Sequence, residues 1–117
     1  GQSAAAAGHL NAALAKQRSP RLVNALAWLK ATSADDAVRN GTEATKLAEE
    51  ARGMLQSANI FIMQSQAAAA AETGDFTRAA SIAGEALNQA TQAKLMLDAR
   101  MIQEQLAAYQ AQKPYRM

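Results

Sequence analysis

Glu72-Thr73-Gly74-Asp75-Phe76-Thr77-Arg78-Ala79-Ala80-Ser81-Ile82-Ala83-Gly84-Glu85-Ala86-Leu87 is the stretch whose reading decides the fold. A polar Gly-Asp turn separates two helical patterns, and small residues then recur at Ala79, Ala83 and Ala86. Spacing of i, i+4 and i+7 puts these three on one narrow helix stripe. Alanine there lets a second helix backbone come close, so the stretch predicts tightly packed antiparallel helix pairs. The same spacing occurs upstream at Ala44, Ala48 and Ala51, an offset of 35 residues (44 to 79). That offset is within one of the ~34-residue period of one class of helix-pair repeat. Ala6, Leu10 and Ala13 extend the pattern one unit earlier at a looser offset.

Composition agrees with such an array. The 117 residues are 50% hydrophobic but only 4% aromatic, with alanine dominant. A core of small side chains packs close helices better than it fills a wide sandwich. Alanine, glutamine and leucine favour helix, and β-branched residues are few. An all-α chain of one domain is therefore expected. Basic residues outnumber acidic ones 12 to 10, but they are scattered and form no stripe, which argues against nucleic acid as a partner. The absence of cysteine excludes a disulfide framework and a thiolate metal site and fits a cytoplasmic setting. No apolar run approaches the ~18 residues of a membrane span, so no membrane contact is visible. The chain opens on Gly1 rather than Met, which reads as an excised fragment with a leading cloning remnant.

Outward from the deciding stretch, helices are expected over about 3–17, 20–32, 40–54, 60–73, 75–90 and 92–111. Ser19-Pro20 stops the first and starts the second. Leu22, Val23, Leu26 and Leu29 line the apolar face of the second. Ser33-Ala34-Asp35-Asp36 reads as a cap and a short extra turn. Asn40-Gly41-Thr42-Glu43 resembles a capping box. Gly53 and Ser57-Ala58-Asn59 mark a soft break with no proline. The last helix carries a stripe of Leu95, Ala99, Ile102, Leu106 and Tyr109, and Lys113-Pro114-Tyr115-Arg116-Met117 is expected to be irregular.

Residues able to carry catalysis are sparse. His9 is the sole histidine and stands with no second ligand or nucleophile. Asp35-Asp36 and Glu49-Glu50 are adjacent carboxylates that point about 100° apart on a helix and converge on nothing. Gly41 and Gly74 are isolated turn glycines, not a phosphate-cradling loop. These readings point away from an enzyme. Trp28 is different, because it lies outside the arc of Leu22, Val23, Leu26 and Leu29 and beside Arg21, Asn24 and Thr32. Two readings stand: a binding anchor, or a side chain packed on the preceding helix or under the 33–40 insert. Ile60, Phe61, Ile62 and Met63 form an apolar run that no single helix face can hide. Met54, Leu55, Met96, Leu97 and Met101 raise the same question.

Gly74-Asp75-Phe76-x-x-Ala79 followed by Ala86-Leu87 resembles the turn and second helix of the tetratricopeptide repeat family. Asn24-Ala25-Leu26-Ala27-Trp28-Leu29-Lys30-Ala31-Thr32 with Arg39-Asn40-Gly41-Thr42-Glu43-Ala44 resembles a bacterial variant carrying an insert between its two helices. Ala107-Ala108-Tyr109-Gln110-Ala111-Gln112-Lys113-Pro114-Tyr115-Arg116 is similar to the capping helix and tail that follow such repeats. The resemblance covers about 20–116 and implies an α-solenoid: a partial repeat at about 3–17, repeats at 20–55 and 59–90, and a capping helix at 92–111. Gln66, Ala70 and Lys30 depart from the family's large apolar positions. In such arrays the first helix of each pair lines a concave groove. The groove positions match Arg21, Asn24, Trp28 and Thr32, then Phe61, Gln64, Ala68 and Glu72. The implied function is non-catalytic binding of a peptide or partner protein, with no cofactor. The family's two-lysine clamp for peptide carboxylates is not evident. The alternative is a structural role, in which the 53–59 break straightens and a helical homodimer forms by swapping.

Overall fold

The computed structural model describes residues 2–57 and 59–117. Gly1 and Ala58, the latter inside the expected 53–59 break, lie outside the described residues. The described chain is all-helical: α1 (Gln2–Lys16), α2 (Pro20–Thr32), α3 (Gly41–Gly53), α4 (Ile60–Glu72), α5 (Phe76–Gln92) and α6 (Met96–Gln110). Four of the helices start on a side-chain cap that meets an otherwise unpaired backbone N–H. Ser19 Oγ accepts from Leu22 N, Asn40 Oδ1 from Glu43 N, Asn59 Oδ1 from Ile62 N and Asp75 Oδ1 from Arg78 N. Asn59 makes the break before α4 firmer than its lack of proline suggested, and residues 42–73 are two helices, not one. In the expected capping box only the Asn40 half forms. The Glu43 carboxylate turns instead to Lys30 on α2.

Three helix ends share one closing motif. After α4, Gly74 takes φ +91°, with Asp75 N bonded to Ala70 O and Gly74 N to Ala71 O. After α5 and α6 the same pair of bonds forms around Lys94 (φ +61°) and Gln112 (φ +58°). This left-handed closure is cheapest for glycine. Only Gly74 announced it, so the sequence reading ran the last helix from 92, through what is the turn Ala93-Lys94-Leu95. Leu95 consequently leaves the core and is exposed at the head of α6.

Packing follows the chain. α1 leans on α2, α2 packs on α3 and α4, α3 on α4, α4 on α5, and α5 on α6. The small-residue stripes lie at these contacts: Ala44, Ala48, Ala51, Ala79, Ala83 and Ala86 are each at most 1% exposed. Gly41 marks another close approach, because a Cβ there would stand 2.9 Å from Glu72 Cγ. The helix α4 separates two apolar clusters. Ile62 joins Leu14, Val23, Leu26, Leu29 and Val38 on one side. Ile60 and Met63 join the α5 and α6 residues, including Ile102 and Tyr109, on the other. That arrangement resolves the apolar run 60–63, since three of its members are buried between clusters and Phe61 alone is left out. The radius of gyration, 13.4 Å, is what a compact chain of this length adopts.

Candidate functional site

The face shared by α2 and α4 collects all eight residues singled out from the sequence, in two different environments. At the first turns, Arg21 is exposed and Phe61 is 54% exposed. They line an open cleft of about 710 Å³ together with Asn24, Leu55 and Asn59. Through Asn24, Ala25 and Phe61 this cleft continues into a smaller one of about 260 Å³, closed in by Trp28, Gln64, Ser65, Asp98 and Met101. Phe61 and Met101 supply apolar surface here. Asn24 Oδ1 and Ser65 Oγ are buried polar atoms with no hydrogen-bond partner. Buried polar atoms are nearly always paired; these two lie beneath the cleft wall and closed to solvent, so a partner reaches them only if the wall shifts.

Gln64 is buried, and its Oε1 accepts from Gln105 Nε2 of α6 at 3.0 Å. The pair ties α6 to the face. Gln105 is fully buried and was missed by the sequence reading, although it stands three residues from Ile102 and four from Tyr109 on the same stripe. Gln66, at a position expected to be large and apolar, is half-buried between surface clefts and makes no side-chain hydrogen bond among the described residues.

At the last turns the face is covered. Thr32 and Ala68, expected to line an open groove, are 0% and 2% exposed. Ala68 lies under Trp28, and the irregular segment 113–117 runs over Trp28 and the end of α2. The left-handed Gln112 turns the chain back at the end of α6, and the Met117 N–H donates to the Thr32 carbonyl at 2.9 Å. Tyr115 lies against Trp28, ring centroids 5.9 Å apart and planes tilted by 39°. Trp28 is half-buried, with Ala31, Ala44, Ala68 and Ala69 under it. It is packed, though on α3, α4 and the tail rather than on the preceding helix or under the 33–40 insert, and its other side borders the cleft. The sequence reading missed this cover because a five-residue segment without periodicity carries no local sign of where it docks.

Glu72 closes the covered end. Arg39 Nε donates to Glu72 Oε1 at 2.9 Å, and Arg39 Nη1 to the Ser33 carbonyl at 2.8 Å. Arg39 also pairs with Asp36, and the Asp36 bond first, then Glu72, holds its guanidinium pKa above the ordinary value. Arg116 reaches Glu72 Oε2 at 2.7 Å as an ion pair whose angle does not make a hydrogen bond, so that oxygen has no hydrogen-bond partner. Away from the face, Tyr109 is buried and desolvation pushes its phenol pKa up. Arg18 bonds both oxygens of Glu50, which lowers the Glu50 pKa.

Among the described residues no helix is long and apolar enough to cross a membrane. Compared with known proteins, the chain matches no family model, no curated protein and no solved structure.

Proposed function

We propose that this chain is a non-catalytic binding module, a tetratricopeptide-like array of helix pairs that takes an extended peptide or a segment of a partner protein along the α2–α4 face. The observation that carries the reading is the cleft at Asn24, Phe61 and Ser65. It joins an exposed aromatic ring to two buried polar atoms that lack partners. Apolar anchors beside a few placed polar groups are the composition of a recognition site. Phe61 is the anchor, Arg21 and Asn24 orient the ligand, and Met101 extends the apolar wall. The order of contacts among α2 to α6, with the first helices of successive pairs side by side, supports the repeat reading.

Panning a random peptide library against the intact chain tests this. Enriched peptides should lose affinity by about 2 kcal/mol, roughly thirtyfold, on Phe61→Ala. A library that enriches nothing, or peptides indifferent to Phe61→Ala, would sink the proposal. Self-association has a separate observation behind it: Leu95, Met96, Leu97 and Met101 are all exposed at the head of α6. Under that reading the mass in solution doubles with concentration, and Leu97→Glu reverses the change.

A further inference from the structure

Resting on the groove reading, we propose that the covered end of the α2–α4 face is an exchangeable binding site. Its ligand is an extended segment with an aromatic residue followed directly by arginine, and the chain's own Tyr115–Arg116 is the resident occupant. The site reads both main chain and side chains. The last carbonyls of a helix have no partner within it. At the end of α2, the Leu29 carbonyl takes the Ser33 N–H, that of Lys30 takes the Asn40 N–H, and that of Thr32 is met only by Met117. An extended backbone therefore supplies a donor that the helix itself cannot.

Charge selects the arginine. Both α2 and α4 end here, and the negative ends of two helix dipoles favour a cation. Glu72, the last residue of α4, adds a carboxylate that is only 16% exposed. Arg39 answers one of its oxygens. The other is contacted by Arg116 without a hydrogen bond. Arg116 stands 2.7 Å from it, within ion-pair distance, so an arginine at this position neutralises a carboxylate largely withdrawn from water. The face of Trp28 selects the aromatic, as Tyr115 already demonstrates.

Exchange follows from continuity. Past Trp28 the cover stops, and the wall continues with Ser65, Asn24 and Phe61. A longer segment from another chain could keep the aromatic and arginine contacts and run on over Asn24, Ser65 and the exposed Phe61 ring. The resident segment makes none of those extra contacts.

The test uses the full chain and a fluorescein-labelled, terminally blocked peptide of residues 112–117, with folding checked by circular dichroism. Tyr115→Ser/Arg116→Ser vacates the site, and Arg116→Ser alone is the milder variant should the double one unfold. A site occupied more than nine-tenths of the time weakens an incoming ligand about tenfold or more. The peptide should thus bind the vacated chain at least about tenfold more tightly than the unaltered chain, and replacing its arginine by glutamate should abolish binding. No binding up to millimolar peptide, equal binding to both chains, or binding indifferent to the glutamate peptide overturns the proposal. Peptide exchange with no library enrichment through Phe61 would leave this site standing and sink the groove reading. The reverse pattern would sink this site alone.

Discussion

At the first turns of α2 and α4, Arg21 and Phe61 stand in solvent, whereas toward the last turns Ala68 lies under Trp28 and Thr32 is buried where residues 113–117 return. The same two helices build both ends, and the residues of each end were equally plausible groove positions. The difference lies in what each end must satisfy. The first turns have their N–H groups met locally by Ser19 and Asn59. At the last turns, a free carbonyl, two negative dipole ends and Glu72 gather at one place and draw in a backbone donor and a cation. One face therefore carries an open, partly unsatisfied cleft and an already occupied seat.

Five substitutions, one of them read by an alkaline titration, would break or sharpen this contrast. Trp28→Ala should be the most damaging, removing a ring held between Ala31, Ala44, Ala68, Ala69 and Tyr115. A loss of about 2–4 kcal/mol is expected, a little under the range for a fully buried aromatic, and thermal unfolding reads it directly. A melting curve matching that of the unaltered chain would return Trp28 to the open end. Ala44→Leu should overpack the same cluster at a cost of about 1–3 kcal/mol, seen as a lower denaturant midpoint. Tyr109 lies in the apolar cluster against which Tyr115 packs, so alkali should act on the covered end. With its folded-state pKa raised, the folded chain holds the phenol proton longer than the unfolded chain does. Stability is therefore complete below the ordinary value of 10.0 and falls as pH rises past it, by up to about 1.4 kcal/mol per pH unit. Tyr109→Phe should flatten that fall, and an unchanged alkaline slope would refute the assignment.

Smaller effects follow. Glu72→Gln should cost on the order of 1 kcal/mol and loosen residues 113–117, which Trp28 emission reports as a red shift. Emission that stays put would mean the cover holds without its ion pair. Phe61→Ala should change stability by less than about 0.5 kcal/mol, since the ring is 54% exposed and packs in no cluster. A large loss there would make the two ends alike and remove the open anchor.

Much of the helix plan was legible in the sequence, because the signals involved act over three or four residues. Pro20, Asn40 and Gly74 each mark an end through their own backbone chemistry. The stripes Ala44, Ala48, Ala51 and Ala79, Ala83, Ala86 mark a buried face through period alone. The break at Ala93–Leu95 was not legible, since Lys94 adopts the left-handed closure without being the residue that prefers it. Gln105 was passed over for a similar reason. Its amide reads as surface until Gln64 is brought opposite it, 41 residues away in the chain.

By itself, then, the sequence determined an all-helical chain, the caps that start most of its helices and the small-residue faces on which they meet, all consequences of nearest-neighbour sterics and hydrogen bonding. Tertiary structure alone decided which aromatic is free and which is covered. Trp28 and Phe61 each have apolar residues on both sides in the chain. Trp28 rests on alanines of α3 and α4 as Phe61 does not, and the return of residues 113–117 and the meeting of Glu72 with Arg39 and Arg116 complete the separation. Those contacts join groups 33 or more residues apart (39 to 72). Their free energy depends on burial and on fields that no local window of the chain contains.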